Sequence, residues 1–291
     1  MRKAARKGFL ASDAGSDTLA CCRFRTHLIL AAGMSISSHP SSAVDSSKGP
    51  ILALGAHPDD LEFSVGAVLA GEGREGRLVR LALCSRGECA SHGTAELRAA
   101  EAAAGAEILG AELEFVDFPA ALPPAGGDCR LQGTPSNALA IAGLIRRHKP
   151  ALLLAPTPSV NQHPDHAALS GLARDAARLA RYGGIPELRD LAPHAIQVLL
   201  FYAVTPDAEP RDITPIFIDV SAPEILDTWT RAMRAHESQQ KTRGYVDLQL
   251  TRARLNGHRI GPPVTHAIAL YPADPPVFSS LGALGKSARH F

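Results

Sequence analysis

Ile51-Leu-Ala-Leu-Gly-Ala-His-Pro-Asp-Asp-Leu-Glu62 decides how this chain folds. Its first half is an apolar run of strand length. Its second half places His57 and two adjacent carboxylates, Asp59 and Asp60, where a helical pattern begins. Leu61, Val65, Val68 and Leu69 continue that pattern as the apolar stripe of a helix running to about Gly73. Asp59 or Asp60 is positioned to cap its free N–H groups. Further along, Ala151-Leu-Leu-Leu-Ala155 leads through a short loop to His163-Pro-Asp-His166, which opens another helix. The carboxyl ends of neighbouring strands in an open parallel sheet face one crevice, so the two His-Pro-Asp segments are expected to meet there.

The same alternation extends outward. Strands are predicted at Arg77–Cys84, Glu112–Val116, Ala195–Ala203, Ile216–Val220 and Thr265–Tyr271. Helices are predicted at Thr94–Leu109, with Thr94 as N-cap and Gly110 as stop, at Pro135–His148, at His166–Tyr182 before Gly183-Gly184, and from Ala222 to about Gln240. Ser85–Gly93 and the Pro/Gly-rich Pro119–Gly133 read as loops, and the rest of the C-terminal segment as irregular. The expected fold is α/β and Rossmann-like: a mostly parallel sheet, helices on both faces, and a site at the carboxyl ends of the strands.

The chain has 291 residues, room for one such domain over 50–275 with a tail at 276–291. Residues 1–49 carry basic residues, a short apolar piece and a Ser-rich stretch, and are expected to be disordered. Met34 suggests that residues 1–33 are an over-called extension, the rival reading being an export or organellar leader. The net charge of +1 gives no electrostatic reason to expect nucleic acid or an anionic membrane as partner, which points to a small molecule. No apolar run approaches the length of a membrane span. The five cysteines show no pairing framework or zinc-finger spacing, so they read as reduced thiols in cytoplasm. Oligomeric state stays open, a homo-oligomer included.

His57, Asp60 and His166 form a two-histidine, one-carboxylate set that suits a catalytic Zn2+, one per chain, although other divalent metals use such donors. Zinc lowers the pKa of water towards neutrality, and a nearby base must then take the proton. Asp59 is the candidate base, because one acid of an adjacent pair can hold metal while its neighbour faces the water. His163 is a candidate oxyanion donor, with Asp165 expected to orient it. The same donor set also serves non-haem Fe(II) oxygenases, though the alternating strands and helices favour hydrolysis. A catalytically silent binder is a further alternative. A nucleotide-binding Rossmann protein is another, but the first turn, Gly55-Ala-His-Pro-Asp, lacks the glycine fingerprint.

Ala56-His-Pro-Asp-Asp-Leu-Glu62 taken with His163-Pro-Asp-His166 resembles the PIG-L/LmbE-like family of zinc-dependent N-deacetylases, over about Ile51 to Tyr271. The resemblance implies removal of an N-acetyl group from a 2-acetamido sugar or glycoconjugate, with an amidase on a non-sugar amide as the variant. It implies zinc on His57, Asp60 and His166, Asp59 as general base, and His163 at the tetrahedral intermediate. Arg86-Gly87-Glu88, with Arg98 and Glu101, resembles a second block of the family associated with substrate binding. His236-Glu-Ser-Gln239 resembles a late family element, which adds His236 to the substrate-binding candidates Arg86, Glu88 and Arg98. Where members tend to show a Tyr-Ala-Glu-like strand this chain has His266-Ala-Ile-Ala, which leaves the sugar or scaffold unspecified.

Overall fold

The computed structural model describes residues 49–118, 127–241 and 244–284. The chain divides into units 1–43 and 44–291, and every element below belongs to the second. The disorder expected before residue 49, the middle of the loop expected over 119–133 and the end of the tail lie outside the described residues.

Five strands run parallel: β1 (Ile51–Gly55), β2 (Val79–Leu83), β3 (Glu112–Phe115), β4 (Leu152–Pro156) and β5 (Val198–Tyr202). β6 (Ile216–Asp219) and β7 (Ala267–Pro272) complete the sheet, in the order β3-β2-β1-β4-β5-β7-β6, with β7 antiparallel to both of its neighbours. All five residues of β1 are buried, as expected for a parallel strand covered on both faces. Ile51 and Ala53 join the core beneath one helical layer, while Leu52 and Leu54 join the other.

The first layer holds α1 (Asp60–Ser64), α2 (Gly66–Arg74), α3 (Ala95–Leu109), α6 (Pro223–Arg234) and α7 (Tyr245–Ile260), and the second holds α4 (Pro135–His148) and α5 (Pro164–Leu179). The single helix predicted after Asp60 is broken at Val65. There the Trp229 indole N–H donates to the Glu62 carbonyl at 2.7 Å, and a Cβ on Gly66 would stand 2.8 Å from the indole ring. Trp229 is fully buried core. Thr94 and Thr134 cap α3 and α4 by accepting from Leu97 and Asn137 N–H, each at 3.2 Å. α5 starts at Pro164, not His166, because proline suits the first helical position, where no N–H is needed.

α7 lies where an irregular segment was expected. Its inner face is Val246, Gln249, Ala253, Gly257 and Ile260. The Gln249 amide donates to Val204 carbonyl at 2.9 Å, and a Cβ on Gly257 would overlap the Thr265 backbone. A stripe containing glutamine and glycine does not register as apolar periodicity.

Arg146 on α4 is 2 % exposed. Its guanidinium donates to the carbonyls of Ala180, Leu188 and Leu191 at 3.1, 2.7 and 2.9 Å, and also to Leu179 and Tyr182. One side chain thus satisfies the last turn of α5 and the segment that follows it.

Candidate metal centre

Strand order reverses between β1 and β4: the chain goes from β1 outward to β2 and β3, then returns to the other side of β1. Such a switch point opens a crevice at the carboxyl ends of the two strands. The loop after β1 brings His57, Asp59 and Asp60 there, and the loop after β4 brings His163, Asp165 and His166.

His57, Asp60 and His166 are all buried, and their donor atoms lie within 4.8 Å of one another. His57 Nδ1 is 3.2 Å from His166 Nε2, which is 3.0 Å from Asp60 Oδ1. Donors at about 2.0–2.1 Å from a tetrahedral zinc stand about 3.3 Å apart, so the spacing fits a cation. Asp60 Oδ2, 3.5 Å from His57 Nδ1, accepts Ala56 and His57 N–H at 2.9 and 2.8 Å. The aspartate therefore closes its own loop with one oxygen and offers the other to the centre.

Neither acid caps α1 through its side chain. Asp59 has φ +104°, a left-handed conformation uncommon for a residue with a side chain. Its carboxylate accepts from Arg98 at 3.2 Å, and the same Arg98 nitrogen donates to Pro58 carbonyl at 2.6 Å. The two neighbouring acids are driven apart electrostatically. Burial and the charge of Asp60 push Asp59 up to about 7, against the pull of Arg98, His236 and His57. Burial would also raise Asp60, but His166 and His57 hold it well below the usual carboxylate range. One acid is thereby kept ionised as a donor and the other poised near neutrality, a division suited to acid–base work.

Asp165 was expected to orient His163, but its carboxylate goes elsewhere. Oδ2 lies 3.2 Å from His57 Nε2 and accepts Cys129 N–H at 2.7 Å, and Oδ1 accepts Leu131 N–H at 3.2 Å. The reason is local: His163 is the N-cap of α5, and its ring Nδ1 accepts the N–H of Asp165 itself at 3.2 Å. That bond leaves the proton of a neutral His163 on Nε2. Burial and the charge of His57 lower the His163 pKa, favouring this neutral form.

Asp128, which sequence reasoning passed over, is buried with Oδ1 3.2 Å from His57 Nε2. His57 thus turns Nδ1 to the donor set and Nε2 to two carboxylates, the outer support that fixes a metal-binding imidazole. Burial opposes its charged form, but Asp60, Asp128 and Asp165 outweigh it and push His57 up to about 12. A cation entering the centre must displace that proton. Its affinity is therefore expected to rise at least about tenfold per pH unit through the neutral range, with one proton released from His57 and up to one more from Asp59, whose pKa the cation lowers. Calorimetry in buffers of different ionisation heats measures this, and a pH-independent affinity would contradict the His57 environment.

The substrate-binding candidates divide. Arg86 is exposed, its guanidinium 4.0 Å above the Phe115 ring. Glu88 accepts Arg86 and Asp128 N–H at 3.1 and 3.2 Å, tying together the loops that follow β2 and precede α4. Arg98 is 4 % exposed and engaged with Pro58 and Asp59. His236 is 0 % exposed, 3.4 Å from buried Glu62, so it reaches the centre only through charge. The element around it is tied to α3, Ser238 donating to Glu101 through N–H and Oγ at 2.8 and 2.6 Å.

A family model described as PIG-L, GlcNAc-PI de-N-acetylase, matches residues 52–177, which contain both His-Pro-Asp segments. Among solved structures, the conserved protein TT1542 of Thermus thermophilus is 30% identical with a TM-score of 0.67, over 78% of this chain and 96% of that one. N,N'-diacetylchitobiose deacetylase of Pyrococcus horikoshii is 19% identical, TM-score 0.64, over 77% and 83%. GalB, the 4-carboxy-2-hydroxymuconate hydratase of Pseudomonas putida, is 20% identical, TM-score 0.63, over 80% and 99%. A deacetylase and a hydratase on one fold mean that the activity must be argued from the site.

Proposed function

The chain belongs to the PIG-L family, and from the site enclosed by the family's span we propose a zinc-dependent N-deacetylase that hydrolyses the N-acetyl, or a related N-acyl, group of a 2-acetamido sugar or glycoconjugate. The observation that carries this reading is the convergence of three buried donors, His57, Asp60 and His166, one residue away from an acid poised near neutrality.

Zinc on those donors would supply Lewis acidity for the acyl carbonyl and bring the pKa of water towards neutrality. Asp59 takes the proton of the attacking water, helped by the charge of Asp60, which favours proton uptake. Arg98 holds Asp59 in place through Pro58 carbonyl and the carboxylate together. His163 donates from Nε2 to the oxyanion of the tetrahedral intermediate. Asp59 then returns its proton to the amine as the C–N bond breaks. Asp165 and Asp128 keep His57 in register, a positioning role. Arg86, exposed at the end of β2, and Glu88 remain the residues proposed to meet the substrate. Among the described residues no helix is long and apolar enough to cross a membrane. A cytoplasmic setting is part of the proposal and rests on the free thiols of Cys84, Cys89 and Cys129.

The test is acetate release from N-acetylglucosamine, its glycosides, phosphates and lipid- or antibiotic-linked forms. Release that is lost on chelation and restored by zinc is expected from at least one of them. No release from any by zinc-loaded protein would overturn the reading.

A further inference from the structure

Two thiols converge beside the crevice without a part in the chemistry above. Cys89, in the loop after β2, and Cys129, in the segment before α4, bring their sulfurs and a carboxylate oxygen of Asp128 within 4.8 Å of one another. Both cysteines are exposed and Asp128 is buried. The loops are tied where the thiols meet. Cys89 N–H donates to Asp128 Oδ2 at 2.9 Å, its Sγ donates to Asp128 carbonyl at 3.4 Å, and Glu88 accepts Asp128 N–H at 3.2 Å. Cys129 itself is held at φ +60°.

A fourth donor stands at the edge of this cluster. His163 Nε2 is 3.7 Å from Cys129 Sγ, and it also groups with Asp128 and His57 within 4.8 Å. With Zn–S about 2.3 Å and Zn–N about 2.0–2.1 Å, neighbouring sulfur and nitrogen ligands of a tetrahedral ion are about 3.6 Å apart. We propose that Cys89, Asp128 and Cys129, with His163 Nε2 once its proton has moved to Nδ1 and the bond from Asp165 N–H is given up, form a second site, separate from His57, Asp60 and His166, that takes a thiophilic divalent cation such as zinc or cadmium. Paired thiolates select such ions over hard ones, and binding passes the two thiol protons to solvent. Occupation withdraws His163 from the crevice, so excess cation inhibits. That consequence rests on the N-deacetylase reading, whereas binding does not.

The experiment titrates the full chain, already holding one equivalent of zinc, with Cd2+ under reducing, anaerobic conditions, following the ultraviolet thiolate-to-cadmium charge-transfer band. The expected result is one further cadmium with that band, weakened by at least about tenfold in Cys89→Ser and in Cys129→Ser and abolished in the double variant, which keeps Cys21, Cys22 and Cys84. An unchanged band in the double variant overturns the site. In acetate release, excess zinc is expected to inhibit the wild type and to spare Cys89→Ser, which keeps its basal rate. Equal inhibition of both overturns the inhibitory role. Should no acetate be released at all, the N-deacetylase reading fails and the cadmium titration still decides the site.

Discussion

Asp59→Asn is expected to lower kcat/KM by about 10²- to 10⁴-fold, the span associated with removing a general base, while zinc stays at one per chain. Asparagine has nearly the same shape and tolerates the left-handed conformation recorded at φ +104°, and its Oδ1 can still accept from Arg98. What disappears is the capacity to take a proton. The wild-type profile should fall on the acid side as Asp59 protonates. Burial and Asp60 raise that group to about 7, and the charge of a bound cation moves the limb lower. In Asp59→Asn the limb should vanish with the rate. Steady-state kinetics against pH, with metal analysis of the same preparation, checks this. Wild-type turnover in the variant, or a matching loss of metal, would remove Asp59 from the role.

His166→Ala should fail in the opposite order, losing the metal first and the activity as a result. One of three donors is deleted outright, so the affinity should fall by more than the about 10- to 100-fold typical of losing an outer partner. Asp165→Asn, which removes no donor of the centre but weakens the support of His57 and of the Cys129 and Leu131 N–H groups, should sit within that range. The fold should survive, because alanine is a good helix former and His166 lies in the first turn of α5. Zinc content after dialysis, with circular dichroism to verify folding, measures the difference. Full occupancy of His166→Ala at wild-type affinity would mean that the centre is held by other residues.

Both predictions concern residues that were legible without coordinates, and the reason is topological. A buried parallel strand announces itself by an unbroken apolar run, and chemistry placed directly after it has one crevice to occupy. Residues that act across the fold left no such mark. Asp128 is one acid in a glycine-rich loop, and only the approach of that loop to His57 gives it meaning. His236 carries a motif resembling a site element, yet its ring is fully buried beside Glu62 of α1. Asp165 was matched with the wrong histidine, since the ring of His163 had already taken the backbone N–H that spacing alone cannot reveal. α7 escaped because Gln249 and Gly257 stand in its inner stripe, replacing greasy contact by an amide bond and a close backbone crossing.

The buried guanidinium of Arg146 has a mechanical consequence at long range. It grips the Leu179 and Ala180 carbonyls at the far end of the helix whose opening turn carries His163, Asp165 and His166, and the Tyr182, Leu188 and Leu191 carbonyls of the segment that follows. That helix is about 24 Å long at 1.5 Å per residue, so it works as a lever whose rear is bolted to α4. Any tilt that swung the imidazoles away from the opposite loop would have to tear several of those bonds at once. The aim of the imidazoles proposed to hold the cation is thus set by an anchor at the opposite end of the helix.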